Sequence, residues 1–290
     1  MTIWPAVSVI TPTLNSARTI GLCLESVAGQ DYPADRLEII IADGGSLDGT
    51  TEIIRSTKSP APIRIVPNKL KTGEAGKAAA ARVANGEIAA FIDSDNILPY
   101  RGWMKRMVEP FLDPDIIASE PIEYTYRSSD GGFTRYCALI GMNDPLCLFL
   151  GNYDRYSYLT GRWTDMPCSS QDKGGYLKIG LDAGRMPTIG ANGFLIRRQT
   201  LFKHAAADYL FDIDVLSGLM ASYPEMKIAK VKTGIIHIFA GGLPDFGRKQ
   251  RRRIRDYAYY KKLGLRKYEW EKGRLRGLTK FALYNILLIP

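Results

Sequence analysis

The 290 residues, 46% of them hydrophobic and 24% charged, suit a globular protein of one large domain or two tightly joined lobes. No run reaches the roughly 18 to 20 apolar residues of a spanning helix, no basic n-region or long apolar h-region precedes the strand pattern at Val7, and Cys23, Cys137, Cys147 and Cys168 show no CxxC spacing, which sets aside a membrane span, a secretory signal and a disulfide framework in favour of reduced thiols in the cytoplasm. The net charge of +9 is uneven: the stretch from Arg248 to Arg276 holds 13 Lys or Arg against 3 Asp or Glu, leaving 26 against 27 in the rest, so a neutral body carries a basic arm suited to lipid headgroups or nucleic acid.

In chain order, Val7 to Thr11 (VSVIT) is an apolar run of the kind a buried strand needs, ending in the turn-rich Pro12-Thr13-Leu14-Asn15. Asn15 or Ser16 is placed to cap a helix whose apolar face is Ile20, Cys23, Leu24 and Val27, with Gly29 as its left-handed stop. Leu37 to Ala42 reads as a second buried strand before Asp43-Gly44-Gly45-Ser46, followed by a helix from about Leu47 to Ser56. Ile63 to Val66 makes a third strand, Glu74 to Asn85 an alanine-rich helix closed by Gly86, and Ile88 to Ile92 a fourth strand running into Asp93. Such alternation predicts right-handed crossovers and a mostly parallel sheet with helices on both faces. From Tyr124 to Arg185 the alternation gives way to aromatics, Gly, Asp and Pro, which predicts a loop-heavy lobe laid over the sheet. Strand pattern returns at Gly193 to Arg197 and Ile235 to Phe239, and the spacing of Ile254, Tyr257 and Ala258 makes the basic tail helical.

Ligands on an open parallel sheet collect beyond the carboxyl ends of the strands, and three polar clusters lie at such ends: Thr11 to Asn15, Asp43 to Ser46, and Asp93 to Asn96. Turn chemistry alone favours the same residue types there, so the coincidence of three placements carries more than any one. In Asp93-Ser94-Asp95, directly after Ala89-Ala90-Phe91-Ile92, two carboxylates at i and i+2 can divide labour. One accepts from donor hydroxyls or base, and the other offers oxygen to Mg²⁺ or Mn²⁺ alongside a nucleotide diphosphate.

These segments, with Val7-Ser8-Val9-Ile10-Thr11-Pro12-Thr13-Leu14-Asn15, Ala42-Asp43-Gly44-Gly45-Ser46-Leu47-Asp48-Gly49-Thr50, Gly76-Lys77 and Gly86-Glu87-Ile88-Ala89-Ala90-Phe91-Ile92-Asp93-Ser94-Asp95-Asn96, resemble the family 2 glycosyltransferases in order and spacing over about the first hundred residues. The resemblance implies an α/β fold: a GT-A type single Rossmann-like domain with a mostly parallel central sheet, an acceptor-side lobe and a C-terminal basic helical tail. It implies that residues 1–120 form the nucleotide-sugar-binding half, 121–240 the acceptor-binding and catalytic half of the same domain, and 241–290 the tail. Pro12, Thr13 and Asn15 would line the nucleotide pocket, with Gly76 and Lys77 also on the donor side. Asp43 would pair with the base, Asp93 would face the ribose or sugar, and Asp95 would ligate Mn²⁺ or Mg²⁺.

In the second half the family's Glu-Asp pair, whose Asp is the general base, corresponds to Phe211-Asp212-Ile213-Asp214-Val215. Asp214 aligns with the base; Ile213 stands where the Glu belongs, which leaves Asp212 as a substitute. Gly190 to Arg198 looks like the family's acceptor-side strand and would bring Asn192 and Gly193 near the donor sugar. His237, within a late strand, is read as a metal or pyrophosphate contact, whereas His204 is read as structural. Lys249-Gln250-Arg251-Arg252-Arg253 faintly resembles the helix with which processive relatives hold the diphosphate, which nominates Arg251; a solvated basic face explains the same residues. Tyr153, Tyr156, Tyr158 and Trp163 suit a sugar-stacking or lipid-facing acceptor groove or a core beneath long loops, and Met142-Asn143-Asp144-Pro145 is a turn signal with Asp144 as a candidate acceptor contact.

The reaction so implied is inverting single displacement from a UDP-, GDP- or dTDP-linked sugar to a lipid-linked acceptor or growing surface glycan. The arm and the apolar Leu278 to Pro290 suit a peripheral place on the inner face of the cell membrane, and a C-terminal helix packed on the body explains the apolar stretch equally. A nucleotidyltransferase is the rival enzyme, but Thr11 to Asn15 is not a Gly-rich phosphate loop. A basic nucleic-acid-binding or membrane-binding protein is the non-enzymatic rival; the neutral body opposes a nucleic-acid partner, and Asp95 with Asp214 opposes a catalytically dead binding protein.

Overall fold

Strand β1 (Val7–Thr13) is buried along its whole length because each face of it meets a different hydrophobic layer. Val7 and Val9 turn toward one layer and Ile10 toward the other, the alternation a strand imposes on successive side chains. The computed structural model describes residues 4–203, 208–268 and 275–287; His204 lies outside them. The remaining elements follow as α1 (Ile20–Ala28), β2 (Leu37–Asp43), α2 (Thr50–Ser56), β3 (Ile63–Pro67), α3 (Gly73–Val83), β4 (Ile88–Phe91), β5 (Asn96–Ile97), α4 (Trp103–Val108) and β6 (Ile116–Thr125). After these come α5 (Gly132–Ile140), α6 (Leu146–Leu150), β7 (Cys168–Asp172), β8 (Tyr176–Leu181), β9 (Phe194–Arg197), α7 (Arg198–Leu201), α8 (Asp212–Ser222), β10 (Lys227–His237), α9 (Leu243–Lys262) and α10 (Leu275–Leu287).

One sheet runs β3-β2-β1-β4-β9-β6-β10-β8-β7, with β5 paired to β10. The pairs β1–β2, β2–β3, β1–β4 and β6–β10 are parallel, and β9 lies antiparallel between β4 and β6. The expected mostly parallel α/β sheet is therefore present, and strands from both halves of the chain share it. On one face α1 and α4 pack through Ile20, Leu24, Trp103 and Met107. On the other, α3 and α8 pack through Ala78, Ala81, Leu216 and Leu219. Alanines let α3 approach the strands closely, and full burial of each larger side chain stabilises the fold by about 1.5–3 kcal/mol.

Several local expectations are corrected. α1 has no side-chain cap; the N–H groups of Thr19 and Ile20 are taken by the Ser16 carbonyl at 2.9 Å each. Gly29 has φ −80° and ends the helix by donating to Glu25 O, without a left-handed turn. Gly86 is not the stop of α3, which ends at Val83; a Cβ on Gly86 would lie 2.5 Å from Ser8 N, so close backbone approach demands glycine there. The stretch after Tyr124 is less loop-heavy than its composition suggests, because α5, α6, β7 and β8 fall within it.

The basic tail forms α9 as its spacing predicts, but the packed residue is Tyr260, against Tyr209 and Phe211, while Ile254 is exposed. α10 packs on α6 through Phe281 and Tyr284 against Phe149. Among the described residues no helix is long and apolar enough to cross a membrane.

Candidate active site

The carboxyl ends of β1, β4 and β10 and the start of α8 open on one cleft of about 1040 Å³, where a topology of this kind collects ligands. β1 contributes Pro12 and Thr13, and the Thr13 hydroxyl is buried with no hydrogen-bond partner among the described residues. Asn15 follows at φ 51°, a left-handed conformation asparagine tolerates better than most residues. It is held there by two bonds to the loop after β2: its Oδ1 accepts from Leu47 N at 2.9 Å and its N–H donates to Ser46 Oγ at 2.8 Å. Asp43 does not open onto the cleft. Its carboxylate accepts from Gly45 N, Ser46 N and Ser46 Oγ, which makes it the brace of its own loop.

After β4 the chain turns sharply, with Asp93 N donating to Asn96 Oδ1 at 3.0 Å, and presents Asp93, Ser94 and Asp95 to the cleft. The short β5 pairs antiparallel with the end of β10, placing Asn96 opposite His237. That pairing brings His237 Nε2 to 3.4 Å from Asp95 Oδ1. From α9, Lys249 Nζ reaches 3.3 Å from Asp95 Oδ2 and also donates to the Phe239 carbonyl. Burial alone would raise the Asp95 carboxyl, but His237 and Lys249 hold it well below the usual carboxylate range.

The Asp95 carboxylate and the His237 Nε2, 3.4 Å apart and both lining the cleft, are a donor pair that fits a divalent cation. Among the described residues no third His, Cys, Asp or Glu joins them, so a cation there would complete its shell with substrate oxygens and water, as hard cations that bridge phosphates do.

Across the cleft, Asn192 (φ 54°) is linked through its side chain to Asn96 at 2.9 Å and to Tyr124 Oη at 2.9 Å. Beneath this loop lies a buried charged network. Arg155 Nη1 and Lys230 Nζ bond Glu120 Oε2 at 2.8 and 2.7 Å, Arg155 Nη2 donates to Ala191 O at 2.7 Å, and Glu120 Oε1 accepts from Gly190 N at 2.9 Å. Gly190, at φ 127°, lies so close to α8 that a Cβ would sit 2.1 Å from Asp212 Cβ. Gly76 and Gly193 likewise allow close packing, against Pro12 with Asn68 and against Ile235 with Trp103, and neither lines the cleft as expected.

Asp212 opens α8 and lines the cleft. Its Oδ2 accepts from Lys77, and its buried Oδ1 has no hydrogen-bond partner among the described residues. Burial pushes its carboxyl up to about 6, with Lys77 pulling it back only part of the way. Asp214, two residues on, faces elsewhere. Its oxygens accept from Arg266 Nε at 3.2 Å, Lys267 N at 3.1 Å and Tyr268 N at 3.0 Å, so it anchors the chain after α9 and does not line the cleft. Of the two carboxylates the sequence nominated, the structure thus brings Asp212 to the cleft.

α9 covers the cleft with Arg248, Lys249, Arg252 and Arg253, whereas Arg251 points away, a correction set by helix phase. Lys249 and Arg252 belong to the segment the sequence singled out, whereas Arg266 was missed; its basic character was visible but the face it occupies was not. The aromatic groove is not formed. Tyr153 is buried, with its hydroxyl hydrogen-bonded between the Asp165 carboxylate and the Thr160 hydroxyl, Trp163 packs on the core under Lys230, and Tyr156 meets Tyr158 edge-on outside the cleft. Asp144 accepts from Leu146 N and also lies outside.

A sequence model of glycosyl transferase family 2 matches residues 8–164. The glycosyltransferase AglE of Haloferax volcanii is 31% identical over 141 residues, which is 48% of this chain and 46% of that protein, so the match spans less than half the length of this relative. Among solved structures, mannosyltransferase PcManGT from Pyrobaculum calidifontis, in complex with GDP-Man and Mn²⁺, is similar at a TM-score of 0.60 and 18% identity, covering 98% of this chain and 76% of that one. Glucosyl-3-phosphoglycerate synthase from Mycobacterium tuberculosis, in complex with Mn²⁺, UDP and glucosyl-3-phosphoglycerate, is similar at 0.52 and 22%, covering 91% and 81%. At such identities the likeness is one of fold, here the GT-A type.

Proposed function

The chain belongs to glycosyl transferase family 2, and from that premise we propose that it transfers a sugar from a nucleotide-sugar donor to an acceptor hydroxyl with inversion at the anomeric carbon. The observation that carries the reading is the meeting in one cleft of the Asp95–His237 pair with Asp212, a buried carboxylate that keeps one oxygen unpartnered. Thr13 and Asn15 line the nucleotide end, and Asp93 and Asn192 line the donor sugar. Asp95 and His237 would hold Mn²⁺ or Mg²⁺, which when bound supplies positive charge against the leaving diphosphate.

Asp212 takes the proton of the acceptor hydroxyl as that oxygen bonds to the anomeric carbon and the carbon–phosphate-oxygen bond breaks. Lys77 keeps enough of the carboxyl ionised to accept it, and the Gly190 loop fixes its position. The diphosphate leaves toward the cations of α9, where Lys249, freed from Asp95, and Arg252 can receive it. Screening hydrolysis of UDP-, GDP- and dTDP-sugars with Mn²⁺ tests the reading: one nucleotide class should be hydrolysed well above the rest, and inactivity toward all three would sink it.

The lipid-linked acceptor and a peripheral place on an anionic membrane belong to the same proposal. Their support is α10, which packs on α6 and leaves Leu283, Ile286 and Leu287 exposed near Lys280 and Arg276. Each basic side chain near an anionic bilayer contributes about 1 kcal/mol before salt screens it. The protein should therefore bind anionic liposomes more weakly as salt rises, and L283E with I286E should reduce that binding by at least about fivefold, since charge on the inserted face opposes burial. Liposome binding indifferent to both changes would remove the membrane reading.

A further inference from the structure

After α9 ends at Lys262, Gly264 adopts φ 67° and turns the chain back across the start of α8. Residues 266–268 are then tied to Asp214 by Arg266 Nε and by the N–H groups of Lys267 and Tyr268. Tyr268 is locked further by its hydroxyl, which accepts from Met186 N at 2.8 Å. The Arg266 guanidinium then lies 4.8 Å over the ring of Phe211 and 5.7 Å from that of Tyr257, with its side chain only 17% exposed. Its Nε is committed to Asp214, while its two terminal amino groups have no partner among the described residues, and the residue lines the cleft. It stands beside the residue that immediately precedes Asp212.

Arginine binds phosphate oxygens with parallel N–H groups in a rigid plane. A guanidinium already fixed at one edge and covered on its faces gives up less freedom when it does so. The charge of the cleft agrees: eight Lys or Arg line it against six Asp or Glu. The negative charges of a nucleoside-diphosphate sugar are matched by those of its divalent cation, so loading the donor leaves the positive surplus in place.

Building on the glycosyltransferase reading above, we infer that Arg266, oriented by Asp214, forms an acceptor subsite for a phosphate or diphosphate group, so that the acceptor carries its anion at Arg266 and its reacting hydroxyl at Asp212. Asp214, the residue the sequence nominated as base, is on this assignment a positioning residue that aims Arg266.

The test is calorimetric titration of inorganic pyrophosphate into the full chain saturated with the nucleoside diphosphate of its preferred donor and Mn²⁺, which fills the donor site first. The wild type should bind pyrophosphate, and Arg266→Gln should weaken that binding at least about tenfold. Arg266→Lys, which keeps the charge but loses the fork, should fall between. Asp214→Asn should weaken it severalfold with Arg266 still present. Unfolding curves check that each variant is folded, and nucleotide loading is verified in each.

Titrating farnesyl phosphate beside inorganic phosphate separates the sources: preference for the prenyl compound marks a lipid-linked acceptor, and equal binding marks a soluble phosphate. Absence of anion binding to the loaded wild type, its survival in Arg266→Gln, or loss of nucleotide binding in Arg266→Gln would each overturn the assignment. If no nucleoside diphosphate binds the wild type, it is the donor reading that fails. The same Arg266→Gln contrast in the nucleotide-free protein then still decides the subsite.

Discussion

Asp212→Asn is expected to lower turnover by at least about a hundredfold with little change in donor affinity, because the amide cannot take a proton and the group acts on the acceptor. The pH profile supplies an independent readout. Only the ionised carboxylate accepts the proton, and burial pushes this carboxyl up to about 6, so wild-type kcat should fall as pH drops through that value and level off above it. The charges facing Asp212 are Lys77, which lowers it, and Asp93 and Glu74, which raise it. Lys77→Met removes the opposing charge and should move the acidic limb upward by about one unit or more. Asp214→Asn should cost far less in kcat and act instead on acceptor KM. Should Asp214→Asn prove the more damaging in kcat, with the acidic limb gone, the base would be Asp214.

Asp95→Ala should abolish transfer and the metal dependence of nucleotide binding while leaving the unfolding transition close to that of the wild type. The carboxylate sits at the mouth of the cleft beside His237 and Lys249, and its apolar neighbours along β4 carry the packing. Removing it takes away one of two protein donors for the cation and leaves His237 alone, which is too little to hold a hard cation against water. Mn²⁺ titration in the presence of the nucleotide is the measurement, and near-normal affinity together with near-normal turnover would show that Asp95 holds no metal.

Most of the nucleotide half was legible because its information is local. The apolar runs Val7 to Thr11 and Leu37 to Ala42 are buried on both faces, which a continuous hydrophobic stretch reports directly, and the polar residues after them stand at strand ends whatever the rest of the chain does. Asn15, Asp93 and Asp95 were found on that ground. Asp43 comes from the same kind of motif, but that its carboxylate braces its own turn depends on backbone hydrogen bonds that residue types do not reveal. The sequence left the aromatic residues after Tyr124 between two roles for a related reason: a ring stacks on a sugar or fills a core according to what covers it, and here Tyr153 and Trp163 are covered by the chain itself.

By itself the sequence determined the alternation of strands and helices, the strand-end position of the Asp93-Ser94-Asp95 cluster and the segregation of charge into the tail, since periodicity, turn chemistry and composition are properties of neighbouring residues. Only the tertiary structure decided which groups meet. His237 reaches Asp95 through the antiparallel pairing of β5 with β10. Asp212 rather than Asp214 faces the cleft because residues two apart at the start of a helix point in different directions, and the returning chain after Gly264 claims the second of them. The basic arm became α9 with Lys249 over Asp95 and Arg251 turned to solvent through the phase of one helix against one cleft, a relation between surfaces far apart in the chain that no local pattern encodes.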